Sequence, residues 1–229
     1  TLGGPGRQQA VMAVGPTERG MKQRIIMFDF DGVIADSFDV FYQALVRTLR
    51  EFGHTCVRNP VDFRALFDDN ACRSLEALRV PPEDLNEILA EVGRKLESRL
   101  DDMPLFPGVA DAIRALRQTC VLYIITSNDS HTVSAYLERV GLRDCFQCIL
   151  GANDHPSKVE KIRQVRRRHP RQSFVYVGDT VGDLREARRA RVSRAAAAWG
   201  WHDAEHLRQH DPDYFLARPD ELRQLEQQP

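Results

Sequence analysis

The sequence predicts an α/β protein: a Rossmann-like, doubly wound parallel sheet with an inserted all-helical module. Three observations predict it. Short apolar runs recur at 25–30, 121–126, 147–150, 174–178 and 195–199. Each is continuous, as strands buried on both faces of a parallel sheet require. Amphipathic stretches near 108–118, 130–140, 157–168 and 181–191 separate the later runs, giving the alternation of a doubly wound fold. The interval between the first two runs is too long for one crossover and reads helical throughout.

In chain order, residues 1–20 are rich in Gly, Pro and Gln and read as a disordered leader or cloning remnant. The apolar stretch Ala10–Val14 is too short for a signal-peptide core, and Met21 is a candidate start. The first strand follows. Ser37 can cap a helix carrying Phe41, Leu45, Leu49 and Phe52 at helical spacing, and Gly53 suits its stop. Pro81-Pro82 can open another helix, with Leu85, Ile88, Leu89, Val92 and Leu96 on one face. Pro104 and Pro107-Gly108 mark the return to the main domain. The organisation expected is a helical cap over 38–103 and an α/β core over 21–37 and 104–229.

Composition narrows the function classes. With 229 residues and a net charge of -1, the chain can bury a substantial core and has no bulk charge for a nucleic-acid or membrane partner. No apolar run approaches the ~20 residues that span a bilayer. Five scattered cysteines fit a reducing cytosol, so a cytoplasmic protein, monomer or homodimer, is expected. Cys145 and Cys148 form a lone CxxC, read as apolar thiols flanking a buried segment.

The chemistry concentrates after the strand runs, where open α/β sheets bind ligands. Asp29 and Asp31 follow the first run two residues apart; alternation along a strand puts them on one side, and Gly32 permits a tight turn. Paired like charges are costly unless a cation or a reaction needs them. Thr126-Ser127-Asn128 follow the second run and suit an anionic oxygen. Asp179 and Asp183 follow the fourth, and Lys158 opens the preceding helix. Four carboxylates, a lysine and a hydroxyl cluster on one edge specify Mg²⁺ and phosphoryl transfer.

These residues resemble the haloacid dehalogenase superfamily, and within it the phosphoglycolate-phosphatase-like hydrolases. The family pattern DxDGxxxDS is Asp29-Phe30-Asp31-Gly32-Val33-Ile34-Ala35-Asp36-Ser37 here. The motif threonine falls on Thr126, the motif lysine on Lys158, and GDxxxD on Gly178, Asp179 and Asp183. The resemblance spans about residues 24 to 218. It implies that Asp29 attacks phosphorus and forms an aspartyl-phosphate, while Asp31 serves as acid and then base. Thr126, with the N–H groups of Ser127 and Asn128, would hold the phosphoryl oxygens, and Lys158 would neutralise charge. Mg²⁺ would sit on the Asp29 carboxylate, the Asp31 main-chain carbonyl and Asp179, with Asp183 acting through a bound water or by orienting Lys158. Asp31 argues for a phosphate ester over a carbon–halogen bond.

The function implied is a Mg²⁺-dependent phosphatase for a small phosphorylated metabolite, phosphoglycolate being the family-level suggestion. A sugar-phosphate phosphomutase and a non-enzymatic regulatory or nucleic-acid-binding protein are the alternatives. The last would rest on two arginine runs, 163–171 and 185–194, otherwise read as solvated helix faces. His202, His206 and His210 read as a solvated C-terminal helix, and Trp199 and Trp201 as packing or rim residues. Asn70 and Arg73 could reach the substrate, cap a helix or pair on the surface.

Overall fold

The computed structural model describes residues 24–226; the leader and Met21 lie outside them. Six parallel strands form one sheet: β1 (Ile25–Phe28), β2 (Val121–Ile125), β3 (Cys148–Leu150), β4 (Phe174–Gly178), β5 (Ser193–Ala197) and β6 (Tyr214–Leu216). Their spatial order is β3-β2-β1-β4-β5-β6, so β1 lies between β2 and β4 and the chain winds outward both ways. That reversal of direction opens a crevice at the carboxyl ends of the central strands.

Side-chain alternation divides the core. Ile26, Phe28, Leu122, Ile124, Val175 and Val177 face one side, with Ile113, Leu116, Val133 and Leu137 of helices α5 (Val109–Leu116) and α6 (Ser130–Arg139). Ile25, Met27, Tyr123, Ile125 and Tyr176 face the other, against Ile162 and Val165 of α7 (Lys158–Arg168) and Ala187 and Ala190 of α8 (Val181–Ala190). Strands with both faces covered must be apolar throughout, which is why their runs are continuous.

Four helices are inserted between β1 and α5: α1 (Phe38–Glu51), α2 (Pro60–Ala65), α3 (Ala71–Ala77) and α4 (Pro82–Glu97). The buried face of α1 carries Leu45 and Leu49, and Gly53 terminates the helix at φ 82°. On α4, Leu85, Ile88, Val92 and Leu96 are buried, but Leu89 is exposed. Lys95 of α4 reaches Thr48 and Glu51 of α1 at 2.9 and 2.5 Å and fastens the pair.

Other expectations change in detail. Ser37 precedes α1 but makes no capping hydrogen bond. Asn70 caps α3, accepting from the Cys72 N–H at 3.1 Å. β5 begins two residues earlier than its apolar run, at Ser193, because Ser193 and Arg194 pair with Val175 and Tyr176 of β4; Asp213 holds the Arg194 N–H and guanidinium. β6 is a strand the apolar pattern did not predict. The three histidines do not share a solvated helix: His202 is buried before α9 (Ala204–Arg208), His206 lies on it, and His210 follows it. No helix among the described residues is long and apolar enough to cross a membrane. All five cysteines are free.

Candidate active site

The sequence sets the site through three strand ends and the helices they feed. β1 stops at Phe28, so strand alternation does not itself orient Asp29 and Asp31. A tight turn does: the Phe30 N–H donates to Asp29 Oδ1 at 2.8 Å, and Gly32 N–H to the Ala35 carbonyl at 2.9 Å. Gly32 is held at φ 74°, and a Cβ there would lie 2.0 Å from Asp179 Oδ2. Only glycine meets both demands. β4 delivers Asp179 beside this turn. Thr180 then caps α8 by accepting from the Asp183 N–H, while Asp183 Oδ2 accepts from the Thr180 hydroxyl at 2.7 Å. This capping box fixes Asp183 at the first turn of α8.

Lys158 joins the halves. Its ammonium donates to Asp29 Oδ2 and Asp183 Oδ1, both at 2.8 Å. Asp29, Lys158, Asp179 and Asp183 are all nearly or fully buried. Tyr176 adds its hydroxyl to Asp183 Oδ1 at 3.2 Å. Across the crevice, Thr126 is buried at the end of β2 and its hydroxyl accepts from the Asn128 N–H at 3.0 Å. The Asn128 side chain donates to Asp31 Oδ2 at 2.7 Å, whereas Ser127 is exposed. The sequence-expected residues Asp29, Asp31, Thr126, Asn128, Lys158, Asp179 and Asp183 thus meet on one edge.

The electrostatics are those of too many anions in a dry place. Burial lifts the Asp29 carboxyl to about 8, with Asp183 and Asp31 adding to it against the pull of Lys158. Burial lifts Asp31 to about 6, held down by Ser37, Lys158 and Asn128. Burial raises Asp179 well above the usual carboxylate range, reinforced by Asp183 and Asp29. For Asp183 burial acts upward, but Lys158 and Thr180 outweigh it and its pKa is lowered. Burial opposes the charge on Lys158, yet Asp183 and Asp29 raise its pKa well above the ordinary value.

One lysine cannot neutralise four carboxylates. Asp29, Asp179 and Asp183 oxygens converge within 4.8 Å of one another. Asp179 Oδ2 accepts from the Trp201 N–H at 2.7 Å, but its Oδ1 is buried with no hydrogen-bond partner. An orphaned carboxylate oxygen among hard oxygen donors fits a small divalent cation such as Mg²⁺.

Several supporting residues escaped sequence reasoning. Lys161 is fully buried and holds the Thr126 and Gly151 carbonyls, tying the ends of β2 and β3 together. Arg64 of α2 donates to the Trp201 carbonyl at 2.8 Å, and His202 Nε2 meets the Arg64 carbonyl at 2.9 Å. Trp201 itself sits among Phe38, Phe41, Phe63 and Phe67, with ring centroids 4.8–5.9 Å away. His206 reaches Asp68 at 2.7 Å. The helical insert is therefore clamped onto the edge that holds the carboxylates. Its residues are separated from their partners by over a hundred positions, and no local pattern announces the pairing.

Comparison with known proteins agrees with this geometry. The family model for haloacid dehalogenase-like hydrolases matches residues 26–197. A phosphoglycolate phosphatase of Synechococcus elongatus is 31% identical over 205 residues, covering 87% of this chain and 95% of that protein. A protein named pyrophosphatase PpaX, from Oceanobacillus iheyensis, is 26% identical, covering 86% and 93%. Among solved structures, a haloacid dehalogenase-like hydrolase from Streptococcus pneumoniae superposes with a TM-score of 0.76 at 25% identity, covering 90% of this chain and 99% of the other. The chain belongs to the haloacid dehalogenase-like hydrolases and, within them, to the phosphatases that resemble phosphoglycolate phosphatase.

Proposed function

We propose that the protein is a Mg²⁺-dependent phosphomonoesterase of the cytoplasm that hydrolyses a small phosphorylated metabolite through an aspartyl-phosphate. The observation that carries this reading is the Asp29 carboxylate, held 2.8 Å from the Lys158 ammonium at the end of the central strand beside the unpartnered Asp179 oxygen.

Asp29 supplies the nucleophilic oxygen. Lys158 stays protonated and spreads positive charge over nucleophile and phosphoryl group. Asp31, raised to about 6 by burial, holds a proton more readily than an ordinary carboxyl and can give it to the leaving oxygen. Once ionised, it draws a proton from the water that attacks the aspartyl-phosphate. Asn128 fixes the Asp31 carboxyl in place. Thr126 and the N–H groups of Ser127 and Asn128 receive phosphoryl oxygens, the Asn128 N–H exchanging its bond to Thr126 for one to substrate. Asp29, Asp179 and the Asp31 main-chain carbonyl would hold Mg²⁺, and Asp183 keeps Lys158 oriented. When bound, the metal lets carboxylate and phosphate approach despite their like charges. Residues 38–103 form the cap that excludes bulk water, over a core of 21–37 and 104–229.

The names of the relatives make phosphoglycolate and pyrophosphate the first compounds to try. The test is phosphate release across a panel of metabolite monophosphates plus pyrophosphate, with Mg²⁺ and with EDTA, beside Asp29→Asn. Release from a monoester that needs Mg²⁺ and disappears in the variant supports the reading. No release from a folded, Mg²⁺-loaded protein overturns it.

A further inference from the structure

The end of the sheet away from the carboxylates carries a second concave feature. The amino ends of β4 and β5, the last turns of α7 and α8 and the loop between α7 and β4 enclose an open groove of about 780 Å³. Arg163, Arg166, Arg167, Arg189 and Arg191 line it, and no acidic residue does. The two arginine runs of the sequence, separated along the chain, thus face each other across one groove.

Not all of this charge is spent on the fold. Arg163 and Arg166 donate to the Arg189 and Ala190 carbonyls at 3.0 and 2.7 Å and so complete the carboxyl end of α8. That offsets the negative carbonyl end of α8, which would otherwise repel an anion there. Arg167 is exposed and has only a loose 3.9 Å pairing with Glu160, and Arg189 a 3.7 Å pairing with Asp69. Arg191 makes no side-chain hydrogen bond or ion pair among the described residues, and holds a left-handed φ of 58°. Gln172 lines the same wall, and its Oε1 is buried with no partner. Phe174 and Pro170 add apolar surface.

We propose that this groove binds a nucleoside di- or triphosphate. The arginines meet the linked phosphoryl groups with planar donor pairs. Phe174 and Pro170 give the nucleoside an apolar surface to pack against, which inorganic phosphate chains cannot use. The volume lies in the range of small-ligand sites. The groove sits at the amino ends of the strands and the catalytic carboxylates at the carboxyl ends, so this site is independent of the proposed hydrolysis.

The experiment is calorimetric titration of Asp29→Asn protein with ATP, ADP or tripolyphosphate in EDTA, which excludes turnover and metal-bound nucleotide. It is repeated with Arg167→Glu and Arg191→Gly added; both residues are exposed, and glycine accepts the left-handed conformation at 191, so folding is preserved. The expected result is one nucleotide per chain, tighter than tripolyphosphate, weakened about tenfold by each groove substitution and by added salt. No binding, binding indifferent to the groove substitutions, or tripolyphosphate binding as well as ATP would each overturn the proposal. So would duplex DNA competing more strongly as its length grows, which is the behaviour of a general polyanion surface.

Discussion

The two ends of the sheet carry opposite charge in opposite settings. At the carboxyl end, Asp29, Asp179, Asp183 and Lys158 are buried and displaced from their ordinary pKa values, with Lys158 bonded to Asp29 and Asp183 at 2.8 Å. At the amino end, Arg167, Arg189 and Arg191 stand in solvent with loose partners or none. The same fold thus holds charges that cost energy to keep and charges that cost almost nothing. Burial separates the two: a carboxylate out of water demands a counter-charge, while a solvated guanidinium does not. A substitution at the first end should alter chemistry, and should cost stability where it leaves a buried charge without its partner. One at the second should leave both alone.

Asp29→Asn sharpens the contrast most. It should abolish phosphate release while leaving the metal-free protein at least as stable, because burial already favours the neutral form of that carboxyl. Thermal melts beside activity assays check this, and a collapse of stability would contradict it. Lys158→Met comes next. It leaves two buried carboxylates without their cation, and breaking a buried pair costs about 3–5 kcal/mol; denaturant titration reads the loss.

The pH dependence follows from the raised carboxyls. Asp29 and Asp31 sit at about 8 and about 6 against an ordinary 3.8. Their native forms hold protons that the unfolded chain has released, so this stability is complete below 3.8 and is lost as pH rises through 6 and then 8. Mg²⁺ binds the ionised forms of Asp29 and Asp179, both raised by burial. Its stabilising shift in melting temperature should therefore be larger at pH near 8 than near 5, and a larger shift at the acid end would contradict the assignment.

Arg64→Met should remove the bond to the Trp201 carbonyl and the stacking of its guanidinium 4.5 Å from the Phe38 ring. The expected cost is about 1–2 kcal/mol, with weaker Mg²⁺ dependence because the Trp201 N–H holds Asp179. Smallest of all, Arg191→Gly should leave activity unchanged and stability equal or higher by up to about 1 kcal/mol, since glycine adopts a positive φ without strain.

The same division governs what the sequence makes legible. The central strands announce themselves, because residues buried on both faces must be apolar without interruption, as Ile25–Phe28 and Phe174–Gly178 are. The catalytic edge is legible because its groups follow strand ends within a few residues or, for Lys158, open a helix. β6 is not: Tyr214–Leu216 is three residues long, at the sheet edge, with only one fully buried side chain. Leu89 follows the helical period of α4 yet is exposed, since periodicity marks a stripe and not its limits. The clamp of Arg64, Trp201, His202 and Asp68 is invisible because tertiary pairing alone joins residues so far apart. His202 in particular reads as a solvated residue and is 3% exposed. The arginine runs are plain in the sequence, but their meeting across one groove needs the packing of α7 on α8.

The central claim is that Asp29 carries the phosphoryl group. Asp31→Asn protein incubated with Mg²⁺ and p-nitrophenyl phosphate tests it most directly. That leaving group needs no proton, so the first step survives while hydrolysis of the intermediate slows by about 10²–10⁴-fold. Mass analysis after an acid quench should find one phosphoryl group, on the peptide that contains Asp29. A phosphoryl group on any other residue, or p-nitrophenol released with no covalent species at any time, would contradict the account.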